Sequence, residues 1–346
     1  MSGKLFDFCI GNPPYQEETK DTSDKPVYDR FMDASYNIAD KVELITPARF
    51  LFNAGKTPKE WNNKMLADPH IKILSYEQNS ADIFPNTNIM GGICISYRDS
   101  SQNYGAIGAF SAFPEMNTIL HKVVTRPDFT TLDNSIVQQN KWDLASLYHD
   151  FPEYREKIGS KGTEKRLTTP IFSSLSVFQE DEHPEDIKVL GLISNKRCYR
   201  YINKKYIEKK HNNLQKFKVI VPASNGSGAI GRVIPTPLIG EPIMGRPGEG
   251  FTQSFIGIGA FDTEAESTSA LKYIKTKFAR VLLGILKVTQ HNHKGTWKYV
   301  PLQDFSDKSD IDWSKSIHEI DLQLYHKYGL SADEIDFIET HVKEMN

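Results

Sequence analysis

The sequence predicts an α/β chain in two parts. Three observations carry that prediction. A short apolar run, Leu5-Phe6-Asp7-Phe8-Cys9-Ile10, opens the chain and is stopped by Gly11-Asn12-Pro13-Pro14-Tyr15. Strand and helix patterns then alternate up to residue 125, the arrangement that builds a sheet flanked by helices. From residue 167 onward, short strands, loops rich in proline and glycine, and amphipathic helices follow one another without that regular alternation.

Taken in order, the run at residues 5–10 reads as a buried strand. The two prolines end it, fix φ near −65° and remove two backbone donors. A polar stretch covers 16–25. Val27, Phe31, Ala34 and Ile38 then recur at helical spacing. Residues 42–47 read as a strand stopped by Pro47, 59–66 as a helix with Trp61, and 71–76 as a further strand. The loop 79–86 leads into a strand at 91–97. A helix is expected at 113–124, with Met116, Ile119, Leu120 and Val123 on one side. Residues 126–166 mix polar and aromatic positions without a clear period and read as a connector.

In the second part, strands are expected at 188–193 and 216–221. The loop 222–231 has backbone amides suited to phosphate, but it lacks the Gly-Lys-Ser/Thr ending of a nucleotide loop. A long helix is predicted over 263–287 with Asp262 as its N-cap, and Tyr273, Ile274, Phe278, Leu282 and Ile285 as its apolar stripe. Two helices close the chain, 314–328 and 332–344. Gly329 stops the first, and Ser331-x-x-Glu334 is a capping box for the second.

Composition narrows the classes. The 346 residues leave room for two domains, and 39% hydrophobic with 25% charged residues is ordinary for a globular chain. No apolar run approaches the ~18 residues of a membrane span, so the expectation is a cytoplasmic protein without membrane contact. Cys9, Cys94 and Cys198 lie far apart and suit reduced packing, not disulfides or zinc. His291-Asn292-His293 lacks a completing ligand, so no metal is expected. The net charge is −2, so a nucleic-acid binder must concentrate its cations. They concentrate between 196 and 218, where Lys196, Arg197, Arg200, Lys204, Lys205, Lys209 and Lys210 are interleaved with tyrosines. These seven are the candidate DNA contacts.

The corner after the first strand carries the chemistry. The Asn12 amide oxygen and the Pro13 carbonyl are two acceptors, and Tyr15 adds an aromatic plane. That set suits a planar base bearing an exocyclic amine. Asn12-Pro13-Pro14-Tyr15 resembles motif IV of the amino-methylating DNA methyltransferases, in the form typical of the adenine-specific branch. The helix, the strand ending in Thr46-Pro47 and the run Gly91-Gly92-Ile93-Cys94-Ile95-Ser96-Tyr97 are similar to the segments after that motif in bacterial restriction–modification enzymes. The tail, with Trp297-Lys298-Tyr299, Asp310-Ile311-Asp312-Trp313 and Leu324 to Leu330, resembles the ending of bifunctional, type IIG-like enzymes of that kind.

The resemblance implies a partial Rossmann-like methyltransferase sheet in residues 1–125, followed by an α+β target-recognition domain in 167–346. It implies adenine-N6 methylation of double-stranded DNA with S-adenosylmethionine, and Asn12, Pro13, Pro14 and Tyr15 as catalytic residues. The family also has a Gly-rich cofactor turn and a ribose-binding acid. Only a few residues precede motif IV here, and the one Gly-rich candidate, 255–261, is not followed by a second strand ending in an acid. The cofactor residues are therefore unknown, and the expectation is a chain lacking the cofactor-binding half. That implies one uncovered sheet edge beside the first strand and a partner chain or oligomer to cover it. The alternative is a noncatalytic DNA-binding or assembly module derived from a methylase.

Overall fold

Strand β1 (Phe6–Gly11) runs parallel to β4 (Ala39–Pro47), with Phe8 opposite Lys41 and Gly11 opposite Leu44. A two-stranded ribbon, β2 (Gln16–Glu17) with β3 (Lys25–Pro26), and helix α1 (Tyr28–Ile38) connect them. Helix α2 (Lys59–Ala67) leads to β5 (Ile71–Glu77), and β6 (Ile93–Asp99) inserts antiparallel between β4 and β5. The sheet order is β1-β4-β6-β5. The protein is described here by a computed structural model covering residues 4–17, 25–53, 56–85, 89, 91–159, 162–210, 213–225, 230–231, 235–287 and 290–345. The chain divides into two units, 1–117 and 118–346, and the whole is mixed α/β with several sheets.

In the first unit every expected strand is present, but two faces differ from expectation. The strand read as buried is exposed: Phe6, Phe8 and Ile10 are 56%, 60% and 75% accessible. It lies at the edge of the sheet with β4 on one side only, so an apolar sequence did not mean a buried strand. In α1 the buried stripe is Tyr28, Met32 and Tyr36, while Phe31 and Ile38 are exposed. Both stripes have helical spacing. The larger Tyr and Met side chains face the core, where Tyr28 meets Trp61 edge-on at 6.1 Å and Trp61 meets Phe50 at 5.5 Å.

The second unit holds two larger sheets. The first has order β11-β10-β13-β7, formed by Ile243–Gly245, Phe217–Pro222, Phe255–Phe261 and Ile136–Val137. The second pairs β8 (Asp186–Ile193) with β9 (Lys196–Asn203) as a hairpin, and β12 (Glu249–Phe251) joins β8 in parallel. The hairpin turn is Ser194-Asn195, both with positive φ (50° and 62°), the twist that a two-residue hairpin demands.

The stretch expected as a connector folds into this unit. Its strand β7 pairs with β13, and its helices α4 (Leu144–Asp150) and α5 (Tyr154–Ile158) bury Leu147 and Tyr154 beside Trp142. A short helix α6 (Ile171–Ser174) adds Ile171 to that core. Irregular sequence here reflects short elements, each too brief to show a period.

Helix α3 (Pro114–Val124) matches its expectation. The long helix predicted over 263–287 is two helices, α7 (Glu264–Lys275) and α8 (Lys277–Leu286). Thr276 breaks it, with extended backbone and a side chain that caps α8 at Ala279 N. The N-cap of α7 is Thr263, not Asp262, because Thr263 forms a full capping box with Glu266. Helices α9 (Ile317–Lys327) and α10 (Ala332–His341) close the chain, with Gly329 at φ 60° and the Ser331–Glu334 capping box in place.

Candidate base-binding cleft

The parallel pair β1 and β4 sets the site. In sheets of this kind, ligands gather outside the carboxyl ends of the strands. Asn12 to Gln16 leave the end of β1, and Pro47 to Arg49 leave the end of β4. Both sets line one cleft of about 720 Å³, together with Pro26, Tyr28, Lys56 and Ile89. All four residues of the Asn12–Tyr15 tetrapeptide share it. Among the described lining residues none is a carboxylate.

Asn12 is exposed and Tyr15 half-buried. The Tyr15 carbonyl accepts from Val27 N at 3.2 Å, which ties the corner to the start of α1. The Tyr15 hydroxyl is buried without completing a hydrogen bond. Burial raises its pKa, the Cys94 thiol adds to the rise, and the neighbouring Asn12 amide offsets part of it. The phenol therefore stays neutral at ordinary pH, and its ring is an uncharged stacking surface. Tyr28, behind it, is pushed up to about 12, chiefly by burial, with Thr57 and Arg49 opposing.

The Gly-rich segment considered for a cofactor turn is not an open turn. The Gly-rich candidate 255–261 is a continuous strand, β13, in the interior of its sheet. A Cβ on Gly257 would stand 2.6 Å from the Phe251 ring, and one on Gly259 2.2 Å from the Phe261 ring. Both glycines make room for aromatic packing, so no open turn faces a cofactor. Residues 226–229 of the other Gly-rich loop, 222–231, lie outside the described residues. Also among the described residues, no group of three His, Cys, Asp or Glu is placed to hold a metal, and the three cysteines are free.

The seven candidate DNA contacts sit on β9 and the segment after it, and they fall into two sets. Arg200 pairs with Glu180 at 2.6 Å, Lys205 with Asp150 at 2.7 Å and Lys204 with Glu185. Arg197 donates to the Glu241 carbonyl. Lys196, Lys209 and Lys210 are exposed and carry no ion pair among the described residues. Lys218, in the same basic stretch, is fully buried and donates to the carbonyls of Asn213, Leu214, Lys216 and Arg246. A count of cations in sequence did not show these partners, which come from distant segments.

Sequence reasoning did not single out Arg49, Lys56 or Tyr28 as site residues. The available signal was Pro47, which ends a strand parallel to β1 and so delivers the next residues to the same rim.

The same segment carries the likeness to known proteins. Residues 2–84 match the Eco57I restriction-modification methylase family. Over 94 residues the chain is 32% identical to an uncharacterized adenine-specific methylase of Mycoplasma pneumoniae, a stretch covering 26% of this chain and 22% of that relative. Among solved structures, 96% of the chain aligns with the type IIG restriction endonuclease BpuSI, at TM-score 0.33 and 8% identity, over 52% of that chain. It aligns likewise with the type IIL restriction-modification enzyme MmeI in complex with DNA, at TM-score 0.35 and 10% identity, over 56% of that chain. The chain thus spans about half the length of these two enzymes. The matched segment contains the whole Asn12–Tyr15 corner together with Arg49 and Lys56.

Proposed function

We propose that this chain supplies the base-receiving and target-recognition part of a DNA adenine-N6 methyltransferase of a restriction–modification system. One observation carries the reading: the Asn12–Tyr15 corner, at the end of a strand parallel to its neighbour, opens into a cleft free of lining carboxylates among the described residues. A duplex base is out of reach of any such cleft, so the adenine is flipped out of the stack. Its exocyclic amine donates one N–H to Asn12 Oδ1 and one to the Pro13 carbonyl. Those bonds draw the nitrogen lone pair out of the ring and aim it away from the protein surface, so orientation and electrostatics are the main contributions. Tyr15 holds the ring by stacking.

S-adenosylmethionine is the methyl donor that the family resemblance implies, and the Gly-rich segment 255–261 is a closed strand and not a cofactor turn. In this reading the chain serves the base side of the reaction. We read the order β1-β4-β6-β5 as the second half of a Rossmann-like methyltransferase sheet. The exposed apolar edge at β1 is the place where further strands, or a partner chain, complete it. The second unit, with Lys196, Lys209 and Lys210 exposed and carrying no ion pair among the described residues, serves as the DNA-recognition domain.

Titration of the purified chain with deoxyadenosine and with thymidine, followed by NMR shifts, tests the base seat. Deoxyadenosine should bind in the millimolar range, and Asn12→Ala and Tyr15→Ala should each weaken it about tenfold. Equal affinity for the two nucleosides would refute the reading.

A further inference from the structure

We propose that the second unit reads base edges of its target duplex with Gln138, Gln139, Arg166, Asn195 and Gln253, which surround the tip of the β8–β9 hairpin. The inference rests on the recognition-domain reading above and names the residues that carry its choice of sequence. All five line one cleft of about 680 Å³. Gln138 and Gln139 follow the end of β7, Asn195 forms the hairpin turn, and Gln253 lies between β12 and β13. Their side chains make no hydrogen bond and no ion pair among the described residues. No carboxylate is among the described lining residues, so none stands in the cleft wall to repel a phosphate. A primary amide sets donors beside an acceptor, and a guanidinium is a fork of donors. These are the groups that pair in bidentate fashion with adenine N6/N7 and with guanine O6/N7 in the major groove.

The walls of the cleft are fixed, while these five side chains are left unpaired. Gln253 N donates to the Leu167 carbonyl at 2.8 Å, and Thr252 N donates to the Leu190 carbonyl at 2.9 Å, which ties this segment to β8. Ala223 N donates to the Ser254 carbonyl at 2.8 Å, and Asn292 N to the Ala223 carbonyl at 2.8 Å. Asn292 is 2% exposed; its Nδ2 donates to the Pro222 carbonyl at 3.1 Å, and its Oδ1 accepts from Trp297 Nε1 at 2.7 Å. A rigid frame bearing unpaired polar groups discriminates between ligands, because a wrong partner leaves one of those groups unsatisfied. The lining also separates edge reading from stacking. Phe255 is the one Phe, Tyr or Trp among the described lining residues. It is 2% exposed, and the Arg197 guanidinium stands over its ring, 5.8 Å from the centroid. A base swung into this cleft would find no open Phe, Tyr or Trp face, unlike one at Tyr15. Base edges held in a duplex need none. The hairpin has the shape for that approach, since a two-stranded ribbon fits the major groove. Lys196, next to Asn195, is exposed without an ion pair among the described residues, so a phosphate beside those edges finds a cation at the hairpin tip.

The test mixes the full chain with a duplex pool carrying about ten randomised central base pairs, one helical turn, and sequences the bound fraction. Fluorescence anisotropy then compares the enriched duplex with a scrambled one. Wild type should enrich one motif. Gln138→Ala with Gln139→Ala, Arg166→Ala, Asn195→Gly and Gln253→Ala should each weaken binding of the enriched duplex at least about fivefold and relax the motif at one or two positions. The scrambled duplex should lose less than about twofold. Arg166→Lys should relax the motif as Arg166→Ala does, because it keeps the charge and loses the fork. Circular dichroism checks that each variant is folded. Equal losses on both duplexes, with a flatter salt dependence, would make the cleft a phosphate seat and overturn the inference. A motif unchanged in every variant, or a wild type that binds the pool without enriching any motif, would overturn it too. In those three outcomes the chain still binds duplex DNA, and the recognition-domain reading stands. A wild type that retains no duplex at all would remove that reading and the inference with it.

Discussion

Gly91 and Arg49 fit together only because Gly91 has no side chain: a Cβ there would stand 2.8 Å from Arg49 Cγ. Gly91 also has φ +89°, a conformation that costs an L-residue roughly 1–2 kcal/mol. Gly91→Ala should therefore lower unfolding free energy by at least about that amount. Chemical denaturation measures the effect. A variant as stable as wild type would show that Arg49 does not need this bare glycine.

Asn12 is exposed at the rim, so the role proposed for it in methyl transfer separates from any role in stability. Asn12→Ala should leave the thermal midpoint within about 2 °C of wild type, as a surface substitution does. In the complete methylating assembly it should reduce methyl incorporation into DNA by at least about a hundredfold, the cost of losing one positioned polar group at the reacting atom. Methylation at the wild-type rate would remove Asn12 from the mechanism.

Much of this was legible in the sequence, and the exceptions have physical causes. The order of strands and helices in the first unit follows from apolar runs punctuated by prolines, and the tetrapeptide identified its own corner. The exposure of Phe6, Phe8 and Ile10 was not legible from their pattern, because an apolar strand at an unpaired edge has the same pattern as one in the interior. The break at Thr276 was hidden for a similar reason: Tyr273, Ile274, Phe278 and Leu282 keep helical spacing across a cap that resets the backbone. Arg49 and Lys56 lie 37 and 44 positions beyond Asn12 in numbering, and only the parallel pairing of β1 with β4 explains how Arg49 reaches the same cleft.

The chain by itself should bind S-adenosylmethionine weakly. Gly257 and Gly259 are filled over by Phe251 and Phe261, so the one Gly-rich segment among the described residues is closed to a cofactor. Calorimetric titration of the purified chain should show no one-to-one binding at micromolar concentrations. Such binding by a monomer would mean that a cradle exists elsewhere in the sequence.

Asp321 gives the second unit a pH dependence opposite to that of most carboxylates. Its side chain is 2% exposed and accepts from Lys277 N at 3.0 Å and Phe278 N at 2.9 Å, at the first turn of α8. Burial pushes its pKa up to about 6 against those bonds and Arg280. The folded value lies above the ordinary one, so the stability it contributes is complete below about pH 4 and is lost as pH rises through about 6. The loss amounts to ~3 kcal/mol. Asp321→Asn should remove that slope, so that unfolding free energies of variant and wild type diverge between about pH 4 and pH 6.5. Parallel curves across that window would show an ordinary carboxylate.

The basic strip should divide by its partners. Lys204 and Lys205 already face Glu185 and Asp150, whereas Lys209 and Lys210 carry no ion pair among the described residues. An exposed cation that is free to meet a phosphate releases a counterion and steepens the salt dependence of binding by about 0.9 in log–log slope. A cation held by a carboxylate must first give up that partner, and it contributes less. Lys209→Gln with Lys210→Gln should therefore weaken duplex DNA binding and flatten the slope by about 2. Lys204→Gln with Lys205→Gln should change the slope by less than half as much. Fluorescence anisotropy with a labelled duplex at four salt concentrations resolves the difference. Equal losses from both pairs would mean that the ion pairs open on DNA, and no loss from either would place the DNA path away from this strip.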